Sequence, residues 1–148
     1  MSVFQLLMLG ASAYFAFKIY EHIQTLQEPV LNNDNTPKLS DVQVEELIED
    51  GDKAREKDDF DRALAIYSEA KINQPKNPEI LFKMGYTMNQ LQRYDEALDY
   101  FQSSLKYDDK NPFTYLELSK IYRALGDNEK AENYYERAVE LDEDIRDL

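Results

Sequence analysis

Residues 77–105 read NPEILFKMGYTMNQLQRYDEALDYFQSSL, and residues 111–138 read NPFTYLELSKIYRALGDNEKAENYYERA. Both open on Asn-Pro, an N-cap residue followed by a proline suited to the first helical turn. After Asn77-Pro78, the residues Leu81, Met84, Gly85, Met88 and Leu91 recur at helical spacing. A break falls near Gln92-Arg93, and Ala97, Leu98, Phe101 and Leu105 then mark a second helix. After Asn111-Pro112 come Tyr115, Leu118, Ile121 and Tyr122, a turn at Gly126-Asp127, and a second helix with Ala131, Tyr134, Tyr135 and Ala138. Each stretch predicts a helical hairpin.

Working outward, the same pattern appears once more toward the N-terminus. Ala63, Ala97 and Ala131 stand 34 residues apart, as do Tyr67, Phe101 and Tyr135. Gly51, Gly85 and Ser119 keep that step, and so do Phe60, Tyr94 and Asn128, and Ala70, Ser104 and Ala138. Small residues let helices approach to about 8–9 Å. The expected pairing sets Gly51, Gly85 and Ser119 against Ala63, Ala97 and Ala131. The aromatics Tyr67, Phe101 and Tyr135 would then fill the space toward the neighbouring copy. One hairpin cannot bury its apolar face alone, so three copies should stack.

This pattern resembles the tetratricopeptide repeat over residues 44–145, with copies at about 44–77, 78–111 and 112–145. The carriers of the resemblance are the small residue of the first helix, the aromatic opening the second, the alanine of its first turn, the aromatic one turn later and the small residue after it. There are departures. Leu47, Leu81 and Tyr115 stand where a tryptophan is often found, and the closing proline survives only as Pro75, with Asp109 and Glu143 in the other copies. Asp50 replaces the apolar residue seen as Met84 and Leu118, and Asn128 replaces the aromatic. The resemblance implies an all-α fold, a right-handed superhelical stack of three hairpins, and a protein-binding function in a concave groove lined by the first helices.

Removing the packing positions leaves one outward stripe. It carries Phe82, Tyr86 and Asn89 in the second copy, and Leu116, Lys120 and Arg123 with Phe113 in the third. The first copy offers Ile48, Asp52 and Arg55. Rings supply contact area and Asn pairs with backbone, which suits an extended peptide. The plainer alternative packs Phe82 and Phe113 between repeats. Some tetratricopeptide domains clamp acidic chaperone C-termini with groove lysines and asparagines. Only Asn89, Lys120 and Arg123 resemble such a set, and the first copy places an acid there. A second expected surface is the C-terminal face, where Tyr134, Ala138, Val139 and Leu141 would be left uncovered and invite a partner helix or a second copy.

Ahead of the repeats, residues 3–20 read VFQLLMLGASAYFAFKIY. Eighteen helical residues span roughly 27 Å, close to the thickness of a bilayer's hydrocarbon core. Residues 1–23 are read as a single membrane-anchoring helix and residues 24–40 as a flexible linker, with the repeat domain at 41–148. Lys18, flanking the C-terminal end of the span, predicts that domain on the cytoplasmic side, with the opposite orientation as the alternative. A cleaved signal peptide lacks its basic leading residues, and an interfacial helix is the other alternative. Ser40 with Gln43 forms an expected capping box.

Composition narrows the function. The 148 residues carry a formal charge of −13, which disfavours nucleic acid and anionic lipid surfaces as partners. There is no cysteine, and His22 is the sole histidine. No cysteine nucleophile or thiolate metal site exists, and the four glycines are scattered rather than gathered in a phosphate loop. No cofactor is expected. The acid clusters Asp58-Asp59-Asp61 and Asp108-Asp109 fall at turns, where capping accounts for them. The leading expectation is a membrane-tethered, non-catalytic adaptor binding a protein or peptide. The alternative is a structural or oligomerising subunit using the small-residue face Gly10–Ala13 and the C-terminal face.

Overall fold

Six helices in three antiparallel hairpins account for nearly all of residues 38–147, which the computed structural model describes. The first hairpin pairs α1 (Asp41–Glu56) with α2 (Phe60–Asn73), the second α3 (Pro78–Gln90) with α4 (Tyr94–Tyr107), and the third α5 (Pro112–Ala124) with α6 (Asn128–Leu141). A short 3-10 turn, Glu143–Asp147, closes the chain's described part. Among the described residues there is no strand, and no helix is long and apolar enough to cross a membrane. The apolar segment at 3–20 and most of the linker lie outside the described residues, with the membrane span and orientation read from them.

Local chemistry starts the first helix of each hairpin where the sequence predicts. Ser40 and Gln43 form the reciprocal capping box: the Ser40 amide donates to Gln43 Oε1 at 2.9 Å, and the Gln43 amide donates to Ser40 Oγ at 3.3 Å. The Asn77 side chain accepts from the Glu79 and Ile80 amides, and Asn111 accepts from Phe113. The three hairpin turns are copies of one another. Asp59, Arg93 and Asp127 donate their amides to the carbonyls of Ala54, Met88 and Tyr122 at 3.0, 2.9 and 2.9 Å. That bond requires a left-handed residue just before it, and Asp58, Gln92 and Gly126 take φ of 58°, 58° and 83°. Leu39, read as linker, already packs on the first core cluster, and its amide donates to Asn73 Oδ1 at 2.9 Å.

Packing inside the first two hairpins differs from the expected small-against-small pairing. Gly51 and Gly85 lie under the aromatic rings of their own hairpins. A Cβ on Gly51 would stand 2.7 Å from Tyr67 Cδ1, and one on Gly85 would stand 3.0 Å from Phe101 Cδ1. The glycines exist to admit a ring, not to bring two backbones together. Tyr67 and Phe101 are fully buried as a result, each contributing about 1.5–3 kcal/mol. The alanines Ala63, Ala97 and Ala131 are buried too.

The first two core clusters each cross a hairpin boundary. Ile80 and Met84 of α3 complete the cluster built on Ala63, Tyr67 and Ala70, and Leu118 and Ile121 of α5 complete the one on Ala97 and Phe101. The third cluster has no following helix among the described residues. Ile145 from the 3-10 turn takes that place against Leu116, Ala138 and Val139. This corrects the expected open C-terminal face: Ala138 and Val139 are buried, and Leu141 is half-buried. Tyr134 is half-buried as well, stacked on Tyr122 at 5.4 Å with an interplanar angle of 8°. The face's chemistry changes in step. Phe60 and Tyr94 give way to Asn128, and Leu64 and Leu98 give way to Glu132, so α6 offers polar groups where α2 and α4 offer apolar ones.

Candidate partner-binding groove

The first helices lie side by side, and between α3 and α5 a groove of about 860 Å³ opens toward the C-terminal turn. Six residues of the expected stripe line it: Phe82, Tyr86, Phe113, Leu116, Lys120 and Arg123. Phe82 stacks on Tyr86 at 6.1 Å and rests on Phe101 at 5.6 Å, so it both packs and remains half-open. Phe113 is 49% exposed, which sets aside packing between repeats for this ring. Leu116 faces the groove but is nearly closed off by Ile145, at 9% exposure.

Asn89 stands apart from the groove lining. Its Nδ2 donates to Glu117 Oε2 at 3.0 Å, and Glu117 Oε1 accepts from Lys120 Nζ at 2.7 Å. Glu117 is only 5% exposed. It is a buried carboxylate satisfied by an amide and an ammonium, the arrangement that makes such burial tolerable. Of the three groups resembling a carboxylate clamp, two are therefore bound to an internal acid. Among the described residues Arg123 makes no ion pair.

The first hairpin's share of the stripe is closed. Ile48 is buried in the core. Asp52 accepts from Tyr67 Oη and from Lys83 Nζ, both at 2.6 Å, and lies 3.7 Å from Arg55. The Arg55 guanidinium in turn lies over the Tyr86 ring, 5.2 Å from its centre. Burial, then the hydrogen bond and negative charge of Asp52, hold the Tyr67 phenol well above the ordinary tyrosine range. This network ties the first hairpin to the second.

Sequence reasoning missed Glu117, Ser119, Tyr135 and Ile145 as groove-lining residues. Glu117 and Lys120 are an i,i+3 pair of opposite charge, a signal available in the sequence. Ile145 is the single apolar residue of the acidic run Asp142–Asp147. Among the described residues no three carboxylate or imidazole groups converge as metal ligands. Asp59 serves as an N-cap for Arg62, and Asp108 accepts from the Lys110 amide.

Comparison with known proteins agrees with this architecture. Residues 79–144 match the family model of the tetratricopeptide repeat. The mouse BBSome complex member BBS4 is 36% identical over 87 residues, covering 58% of this chain and 16% of that protein. Human DnaJ homolog subfamily C member 7 is 30% identical over 120 residues, covering 81% of this chain and 24% of that one. The chain thus spans less than a quarter of the length of these relatives. Among solved structures, the first TPR of Spaghetti (RPAP3) bound to HSP90 peptide SRMEEVD superposes with a TM-score of 0.67 at 20% identity, over 72% of this chain and 85% of that one. The Sgt2 TPR domain from Aspergillus fumigatus gives 0.64 at 19% identity, over 67% and 66%. These structural likenesses concern the fold.

Proposed function

We propose that the repeats form a non-catalytic docking module that holds a peptide segment of a protein partner in the groove between α3 and α5. The observation that carries this is the convergence of Phe82, Tyr86 and Phe113 with Arg123 around one open groove. Stacked rings on a rigid helix pair supply contact area at little entropic cost, and the guanidinium supplies a directional charge. The solved relative that holds an HSP90 peptide supports a peptide as the partner class. A pure carboxylate clamp fits less well, because Asn89 and Lys120 already serve Glu117 and because Asp52 faces the other end.

The same reading makes residues 1–23 a membrane anchor, with the module on the cytoplasmic side. Tethering raises the local concentration of the groove near membrane partners. This rests on the apolar run at 3–20 and on Lys18. The full chain should resist alkaline carbonate extraction, whereas a variant lacking residues 1–23 should be released. Release of both would remove the anchor.

The groove itself is tested with the full chain in detergent as bait for lysate proteins, beside Tyr86→Ala and Arg123→Ala variants that melt like the parent. Loss of a captured protein from both variants supports the docking reading. Retention of every captured protein by both would overturn it.

A further inference from the structure

The C-terminal end of the groove is filled by the chain itself. In the first two hairpins the apolar face of the second helix is covered by the whole next helix. In the third, one side chain does that work: Ile145, 2% exposed, set among Leu116, Ala138 and Val139 with Tyr115 and Tyr135 beside it. The turn carrying it is lightly held. The Ile145 amide donates to the Asp142 carbonyl at 3.3 Å, and the Asp144 amide donates to Asp142 Oδ1 at 3.1 Å. Both bonds stay within the turn's own neighbourhood, and among the described residues no hydrogen bond ties Glu143–Arg146 to α5. Glu143, Asp144 and Arg146 are all exposed.

The pocket under Ile145 is continuous with the groove, since Leu116, Tyr135 and Ile145 line it together with Lys120 and Arg123. A segment seated there meets an aliphatic-sized hollow with Arg123 at its edge, beside Lys120 in its pair with Glu117. The segment now seated there matches that description. It is one isoleucine on the run Asp142-Glu143-Asp144-Ile145-Arg146-Asp147, where acids outnumber the single arginine.

We infer that the hollow formed by Leu116, Tyr135 and Val139 is a subsite for an aliphatic side chain on an acidic partner segment, and that Ile145 is its built-in competitor. The inference rests on the groove reading above and adds both a specificity and a restraint to it. A partner must displace the turn, so the apparent affinity falls by the factor by which the covered form outnumbers the open one. Burial of a single isoleucine sets that factor at about 10-fold to 100-fold.

The test uses a synthetic peptide of residues 142–147, blocked at both ends, added to isotope-labelled full chain in detergent. Binding is read from methyl shifts of Leu116 and Val139. Two variants open the pocket: Ile145→Asp, and a chain ending at Asp142, each checked for parent-like helical content and a cooperative melt, whose midpoint falls with the loss of the buried isoleucine. Both should bind the peptide at least tenfold more tightly than the parent, and a peptide with Ser in place of Ile should bind neither. Equal binding to parent and variants would overturn the competitor while leaving the groove as a docking site. An absence of shifts in every protein at millimolar peptide would overturn the subsite, leaving the groove to be judged by the Tyr86 and Arg123 variants.

Discussion

At the first hairpin the positions of the expected stripe are Ile48, Asp52 and Arg55; at the third, 68 residues on, they are Leu116, Lys120 and Arg123. The backbone template is shared, down to the bond that closes each turn. The outcomes are opposite. At the first hairpin the charges satisfy one another across the boundary to α3, with Asp52 taking hydrogen bonds from Tyr67 and Lys83. At the third, Phe113 stands open and Arg123 is without an ion pair among the described residues. The repeat dictates which positions turn inward, and it leaves the outward ones free to become a brace or a site. Partner contact is therefore expected at the second and third hairpins, with the first serving as a support.

The comparison breaks most severely at the element common to both halves. Phe101 fills the space over Gly85 and props Phe82 from beneath. Phe101→Ala should cost about 3–5 kcal/mol in urea unfolding and abolish partner capture. Asp52→Ala should sharpen the contrast instead. It strands the Tyr67 hydroxyl and leaves Lys83 with only its longer pair to Glu79 at 3.6 Å, and the expected loss is about 1–3 kcal/mol with partner capture unchanged. A loss of capture with full stability would place the first hairpin in the site.

Alkaline pH probes the same brace. The unfolded chain releases the Tyr67 proton near pH 10, while the folded chain holds it to higher pH. Folded protein then binds more protons than unfolded, so stability falls as pH rises past about 10, by up to about 1.4 kcal/mol per unit from this group. Tyr67→Phe should remove that part of the slope in urea titrations run between pH 9 and 11. The smallest effects concern the turns and one orphaned hydroxyl. Asp58→Gly and Gln92→Gly should each stabilise by about 1 kcal/mol, because both residues sit at positive φ where the third hairpin already has glycine. Thr114 Oγ1 is buried without a partner, so Thr114→Val should be neutral or stabilising by up to about 1 kcal/mol in the same assay.

The fold was legible because its signals are local and repeated three times. Caps at Ser40, Asn77 and Asn111 and the 34-residue step of Ala63, Ala97 and Ala131 needed no tertiary information. The role of the glycines was misread because periodicity says which face a residue occupies, not which neighbour fills the gap. Six of the seven residues that subtraction of the packing positions placed on the outward stripe line the groove between α3 and α5. Asn89 was assigned outward because its partner, Glu117, comes from the next repeat, 28 positions away. Ile145 was overlooked for a different reason. A lone isoleucine in an acidic run has no period to reveal it, and its burial depends on where the chain turns after α6.

The three matching turns also bear on how the chain comes into being. Each is closed by amides and carbonyls five residues apart, and each second helix finds its main partner in the helix just before it. No distant strand must arrive before a hairpin forms. Chains with contacts this local fold quickly, and during synthesis each unit is free to close once its own 34 residues have left the ribosome. The first and second hairpins then receive their cover from the helix that emerges next. The third receives its cover only when Ile145, beyond α6, has followed.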